Sequence, residues 1–221
     1  MNLAIFDLDN TLIDGDSDAE WPRFLIKRGL LGPEHGQQSD AFYEQYLAGT
    51  LDIQEFLAFQ LRPLAEFSRQ QLDALHVDYM HEHIHPIIAQ KARDLLAAHQ
   101  AAGDVVMIIT ATNRFVTAPI ARELGVEHLI AIELEQDANG NYTGRPTGIP
   151  SFRDGKILRL NQWLAERGET LASYQQSFFY SDSHNDLPLL SLVTNPVAVD
   201  PDAALRAQAE SQGWPVISLR G

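Results

Sequence analysis

Leu3-Ala4-Ile5-Phe6-Asp7-Leu8-Asp9-Asn10-Thr11-Leu12 is the stretch whose reading decides the fold. Leu3 to Phe6 is an unbroken apolar run, the pattern of a strand covered on both faces. The run then delivers two carboxylates separated by a single residue. Acids at i and i+2 point to the same side where strand geometry continues. Like charges held that close repel unless a cation or a shared proton offsets them. The stretch therefore predicts a buried strand over residues 3–7 that ends in an acidic, metal-binding site.

Outward from it, the pattern recurs. Val105-Val106-Met107-Ile108-Ile109 reads as a parallel, doubly covered strand, and Ser177-Phe178-Phe179-Tyr180 as another. Residues 129–134 and 196–199 read as strands too, with Val216-Ile217 as an edge strand. Helices are predicted over 86–101, 114–124, 154–167 and 202–211, the second stopped at Gly125. Asn139-Gly140 signals a hairpin. Alternating strands and helices predict an α/β fold, a Rossmann-like parallel sheet with helices on both faces. Residues 15–85 interrupt the alternation with helical stripes such as Phe42, Tyr46, Phe56 and Phe59, broken at Gly32-Pro33 and Arg62-Pro63. Ser17-Asp18-Ala19-Glu20 has capping-box spacing and places the first helix start there. The organisation expected is a core of residues 1–14 and 86–221 with a helical insertion over 15–85.

The chain has 221 residues, enough for one sizeable core, and no cysteine, which excludes disulfides, thiolate metal sites and a cysteine nucleophile. Its net charge of −14 argues against nucleic acid as a partner, because phosphate neutralisation needs a basic surface. No apolar run approaches the ~20 residues of a membrane span. Acids fall within the first apolar stretch, unlike a signal peptide, so a cytoplasmic location is the expectation.

In open parallel sheets the ligand sits beyond the carboxyl ends of the strands. Those ends carry Asp7 and Asp9, then Thr110, Ala111 and Thr112, then Ser181, Asp182, Ser183, His184, Asn185 and Asp186. Hard oxygen donors of this kind suit Mg2+, which takes one or two carboxylates and keeps waters. Lys156, early in the 154–167 helix, supplies a positive charge.

Asp7-Leu8-Asp9-Asn10-Thr11-Leu12 resembles motif one of the haloacid dehalogenase-like hydrolases. Thr110 matches motif two, Lys156 motif three, and Asp182-Ser183-His184-Asn185-Asp186 motif four, in order across nearly the whole chain. The insertion looks like the family's helical type-one cap, and Asn185-Asp186-Leu187-Pro188-Leu189-Leu190 is similar to the phosphoserine phosphatase-like branch. The resemblance implies that Asp7 is a nucleophile forming an aspartyl-phosphate, and that Asp9 is the acid and then the base. It implies Mg2+ on Asp7, the main-chain carbonyl of Asp9 and Asp182, with Asp186 orienting metal-bound water. Thr110, the Ala111 amide, Lys156 and Asn185 would hold the phosphoryl group. The family pattern has Gly where this chain has Ser181, a change expected to cost backbone freedom. The second acid separates the chain from the metal-free dehalogenases and points to phosphoryl transfer. The expected reaction is hydrolysis of a small phosphomonoester. The alternatives are transfer to another acceptor, or a non-catalytic protein that binds a phosphoester.

In phosphoserine phosphatases an acid after motif one holds the substrate amine and a cap arginine holds its carboxylate. Asp16 falls near the first position and Arg62 is the candidate for the second. For Asp18 and Glu20 helix capping is the favoured reading. A cationic ester fits this acidity, so histidinol phosphate competes with phosphoserine as the substrate type. His81-Glu82-His83-Ile84-His85 contains H-E-x-x-H, which needs a continuous helix to bind zinc. Pro86 follows at once, so a surface or hinge histidine cluster is expected instead.

Overall fold

The computed structural model describes residues 1–220. β1 (Leu3–Phe6) is buried at every position, and the period of two divides its side chains between two cores. Leu3 and Ile5 join Met107, Phe179, Leu160 and Leu190 on one face; Ala4 and Phe6 join Ile108, Tyr180 and Leu96 on the other. That double covering is why the run carries no polar residue.

Among the described residues one sheet has the order β4-β3-β2-β1-β5-β6-β7. Its strands are β1, β2 (Val105–Asn113), β3 (His128–Gln136), β4 (Tyr142–Thr147), β5 (Ser177–Ser181), β6 (Asn195–Val199) and β7 (Val216–Ile217). All neighbours pair parallel except β3 and β4, the hairpin marked by Asn139-Gly140, which adds an antiparallel edge to the otherwise parallel sheet. The chain first builds leftward from β1 and later returns to β1's other side, so β1 lies at the switch point where such sheets bind ligands. Phe6 stands opposite both Ile108 and Tyr180. Asp7 directly follows Phe6, and Thr110 and Asp182 come two residues after Ile108 and Tyr180, so the three lie within one residue of the same level, with Thr110 still inside β2.

The helices between β1 and β2 are α1 (Ser17–Lys27), α2 (Pro33–Leu47), α3 (Ile53–Gln60), α4 (Arg69–Tyr79) and α5 (Gln90–Ala101). Trp21, Phe24, Leu72 and Tyr79 share one apolar cluster with Ile108 and Phe115; α1 meets β2, and α4 packs through Tyr79 on Trp21 and through His76 on Phe115. α6 (Arg114–Glu123) lies on the same face of the sheet; α7 (Asp154–Ala165), α8 (Leu187–Leu190) and α9 (Ala203–Gln212) cover the other.

α1 starts at Ser17 as expected but with a different cap, and one later helix starts elsewhere than expected. The N-cap of α1 is Asp16, whose carboxylate accepts from the Asp18 and Ala19 amides, whereas the Ser17 amide is taken by Asp9. The helix expected from residue 86 begins at Gln90, because Pro86 sits in a 3-10 turn and Ile88 is extended to bridge Ile13.

Candidate active site

Lys156 is buried in the first turn of α7 and its Nζ joins two strand ends, donating to Asp7 Oδ1 at 2.9 Å and Asp186 Oδ2 at 2.7 Å. Asp186 also accepts from Ser181 Oγ at 2.7 Å. Serine in place of the expected glycine costs no backbone freedom here: Ser181 is an ordinary strand residue with no positive φ, and its hydroxyl fixes Asp186. Burial pushes Asp7 up to about 7 against the opposing pull of Lys156, with the Asp186 and Asp9 charges adding to the rise. Burial opposes the Lys156 charge too, but Asp186 and Asp7 outweigh it and hold the ammonium above its usual range.

Asp9 precedes a turn through Asn10, a non-glycine residue held at φ +56°. Its Oδ1 accepts the Ser17 amide at 2.7 Å, and its Oδ2 accepts from Thr112 Oγ1 at 2.8 Å and Thr110 Oγ1 at 3.3 Å. Burial, reinforced by the Asp16 charge, pushes Asp9 up to about 6. Thr112 stands two residues after Thr110 in β2, so the period of two sends both hydroxyls to Asp9.

Asp182 accepts from Thr11 Oγ1 at 3.1 Å, and its own amide donates back to that oxygen. Burial and the Asp7 and Asp186 charges raise its carboxyl well above the usual range. Three mutually repelling carboxyl groups with one lysine among them leave negative charge uncompensated. Among the described residues no three His, Cys, Asp or Glu side chains converge in a closed metal site. Two carboxylates, Asp7 and Asp182, are the partial oxygen set suited to a hard cation that keeps several waters, so the residues present fit Mg2+.

Asp7, Asp9, Thr110, Lys156 and Asp186, though not Asp182, line a cavity that residues of the helices between β1 and β2 complete. Phe42, Tyr43 and Tyr46 of α2 and Phe56 of α3 line it, with Asp16, Asp18 and Gln60 at its α1 side. Asp16 serves two ends, capping α1 through Oδ1 while facing the cavity. Asp18 is not a solvent-facing capping acid, as its sequence position suggested. It is buried against Asn113, whose Nδ2 donates to Oδ1 at 3.3 Å, and burial raises its pKa well above the usual value. Glu20 points away from the cavity to Arg23 and His83.

Arg62 does not reach the site. Its neighbours Leu61, Pro63 and Leu64 carry the buried face of a 3-10 turn, which leaves Arg62 exposed on the outer side of the helices. Lys156 is the sole cation lining the cavity among the described residues. Ala111 and Asn185 do line it. Asn185 is spanned by other contacts, its Oδ1 accepting from Arg153 Nε at 3.0 Å and its Nδ2 donating to the Tyr46 carbonyl at 3.2 Å. Arg153, which the motifs did not single out, also donates to the Gly49 carbonyl. His81, His83 and His85 lie outside the cavity, in a π-helical turn over Met80–Ile84 and the 3-10 turn after it. The stretch is thus not the continuous α-helix that H-E-x-x-H needs, and its Glu82 pairs with Lys27 and Arg28.

A family model described as haloacid dehalogenase-like hydrolase matches residues 4–191. A protein named histidinol-phosphatase from Neisseria meningitidis serogroup C is 51% identical over 220 residues, covering 99% of each chain. A crystal structure of a Bordetella pertussis Tohama I protein of unknown function superposes with a TM-score of 0.93 at 47% identity, covering 99% of this chain and 98% of that one. A phospho-aspartyl intermediate analogue of phosphoserine phosphatase shares the fold, with a TM-score of 0.70 at 16% identity over 99% of this chain and 93% of that one.

Proposed function

Because the chain belongs to the haloacid dehalogenase-like hydrolase family and is one of its phosphoric monoester hydrolases, we propose that it is a Mg2+-dependent phosphatase for a small ester whose leaving alcohol carries a cationic nitrogen, of the histidinol phosphate type. The observation that carries this reading is the lining of the cavity. Acids and aromatic rings of the 15–85 insertion line it, and its sole cation among the described residues, Lys156, is already held by Asp7 and Asp186. A substrate carboxylate, as in phosphoserine, would meet Asp16 and Asp18 with no arginine to offset them. A cation is favoured by those acids and by the ring faces around it. The name of the Neisseria meningitidis relative agrees with this choice.

In the reaction proposed, an Asp7 oxygen attacks phosphorus and the ester P–O bond breaks. The departing alkoxide takes the proton from Asp9, giving the free alcohol and an aspartyl-phosphate. Asp9 then takes a proton from water as that water attacks phosphorus, releasing phosphate and restoring Asp7. An Asp9 carboxyl near 6 supports both roles, because it holds and yields a proton close to neutrality. Mg2+, held by the carboxylates of Asp7 and Asp182 and the main-chain carbonyl of Asp9, would offset the repulsion between nucleophile and phosphate. Lys156, the Thr110 hydroxyl and the Ala111 amide would hold phosphoryl oxygens. Asp186, steadied by Ser181, positions Lys156. The 15–85 insertion acts as a cap over the 1–14 and 86–221 core, excluding water while the intermediate exists.

A panel of phosphate esters assayed with Mg2+ and with chelator tests the reading. Turnover should need the metal and favour esters with cationic leaving groups. Asp7→Asn should abolish turnover, a loss of at least a thousandfold, with its circular dichroism spectrum unchanged. Retained activity in that variant would remove Asp7 as nucleophile, and preference for phosphoserine would remove the cationic-alcohol reading.

A further inference from the structure

Pro22 lies inside α1, and a proline has no amide hydrogen to give to the carbonyl four residues back. The Asp18 carbonyl thus lacks its helical partner. Gln60, at the end of α3, fills the gap: its Nε2 donates to Asp18 O at 2.6 Å. Since a carbonyl only accepts, this contact fixes which end of the amide is which. The other end, Gln60 Oε1, is left without a hydrogen-bond partner among the described residues, although Gln60 is only 6% exposed and lines the cavity. A buried acceptor left unpaired carries a desolvation cost that a donor would relieve. The Asp18 carboxyl lines the same cavity, 8% exposed, with Asn113 donating to Oδ1. Phe56 and Phe42 also line the cavity. Asp16, the N-cap, is a separate acid two residues earlier.

We propose that Asp18 and the Gln60 carbonyl form a second acceptor subsite, distinct from Asp16, that takes the N–H of a second nitrogen on the leaving alcohol. This rests on the cationic-alcohol reading above and narrows it. Asp16 takes the first nitrogen, and the Asp18–Gln60 pair, backed by aromatic rings, takes the second. The substrate class is then the phosphate ester of an alcohol bearing two separate nitrogen donors. Burial, which favours the neutral forms of Asp16 and Asp18 in the empty cavity, gives way when cationic groups pair with them.

The experiment compares kcat/KM of the full Mg2+-loaded chain on three esters: histidinol phosphate with two nitrogens, 2-aminoethyl phosphate with one, and propyl phosphate with none. The wild type should favour the first over the second at least tenfold. Asp18→Asn and Gln60→Met should each lower that ratio at least fivefold, mainly through KM. A purely structural role would depress all three esters together and leave the ratio intact, which would overturn the proposal. Should Asp18→Asn fail to fold, Gln60→Met, which keeps the side-chain volume, decides alone. Equal turnover of propyl and aminoethyl phosphate by the wild type would instead sink the cationic-alcohol reading, a result separable from the two-nitrogen ratio.

Discussion

Lys156 holds the largest share of the site's electrostatics in one side chain, because its ammonium separates Asp7 from Asp186 in a buried setting. Removing one partner of a buried charge group costs about 3–5 kcal/mol, since the remaining charges are left unpaired. Lys156→Met should therefore lower the melting temperature by about 6–20 °C at this chain length. The drop should be larger at pH 8 than at pH 5, where the Asp7 carboxyl, already raised by burial, takes up a proton, and calorimetry at the two pH values checks this. The kcat should fall by about 10²–10³, the usual loss when one donor to a developing charge is removed. The sequence marked Lys156 by position only; its two partners come from β1 and the loop after β5. Asp18 shows the same dependence on packing. In sequence it looks like a first-turn acid serving the helix dipole, and only the packing of α1 against Asn113 and Gln60 turns it inward.

At the scale of elements, the C-terminal end of α2 is tied to the core by polar contacts. Tyr46 Oη donates to Ser183 Oγ at 2.9 Å, the Tyr46 carbonyl accepts from Asn185, and the Gly49 carbonyl accepts from Arg153. Arg153 precedes α7 at φ +50°, a left-handed conformation that favours glycine, and its guanidinium also stacks on Phe152. One residue thus links α2, the Asn185 loop and the start of the helix that carries Lys156. Hydrogen bonds to a charged donor contribute about 1.5–3 kcal/mol. Arg153→Ala should let α2 lift from the core at least tenfold more often. Faster amide exchange over residues 42–50, with exchange in β1 unchanged, is the expected reading, together with a raised KM. The hairpin of β3 and β4 was legible because Asn-Gly turn chemistry is local. The late start of α5 was not, because Ile88 leaves the helix to bridge Ile13, and that pairing exists only in the folded chain.

For the whole molecule, the acids clustered under the α1–α3 helices make stability respond to pH and to cations. Asp9 and Asp7 carry pKa values raised to about 6 and about 7, against an ordinary 3.8. Between those limits the folded chain binds more protons than the unfolded one, so stability present at low pH is lost as pH rises through the window. Glu20, Glu82, Asp104, Glu133 and Asp202 are lowered and lose their contribution only in more acidic solution, outside that window. Without metal the melting temperature should decline from pH 5 to pH 8. Mg2+ should raise it, and by more at pH 8, because ionised carboxylates bind the cation and protonated ones do not. A melting temperature indifferent to Mg2+ at pH 8 would contradict the assignment of Asp7 and Asp182 as its ligands.

The sequence by itself determined the sheet and the line of chemical groups at its edge. Both follow from short-range rules: apolar runs make doubly covered strands, and parallel pairing in register brings their ends to one level. Asp7, Asp9, Thr110, Lys156, Asp182 and Asp186 could be read that way because each sits at a fixed offset from a strand or helix end. Only the tertiary structure decided what surrounds the leaving group. It turned Arg62 outward, buried Asp18, and set Gln60 from α3 against a carbonyl that Pro22 leaves free. Those contacts join residues distant in sequence through helix packing, and no local pattern encodes which face of a helix meets a cavity another helix completes.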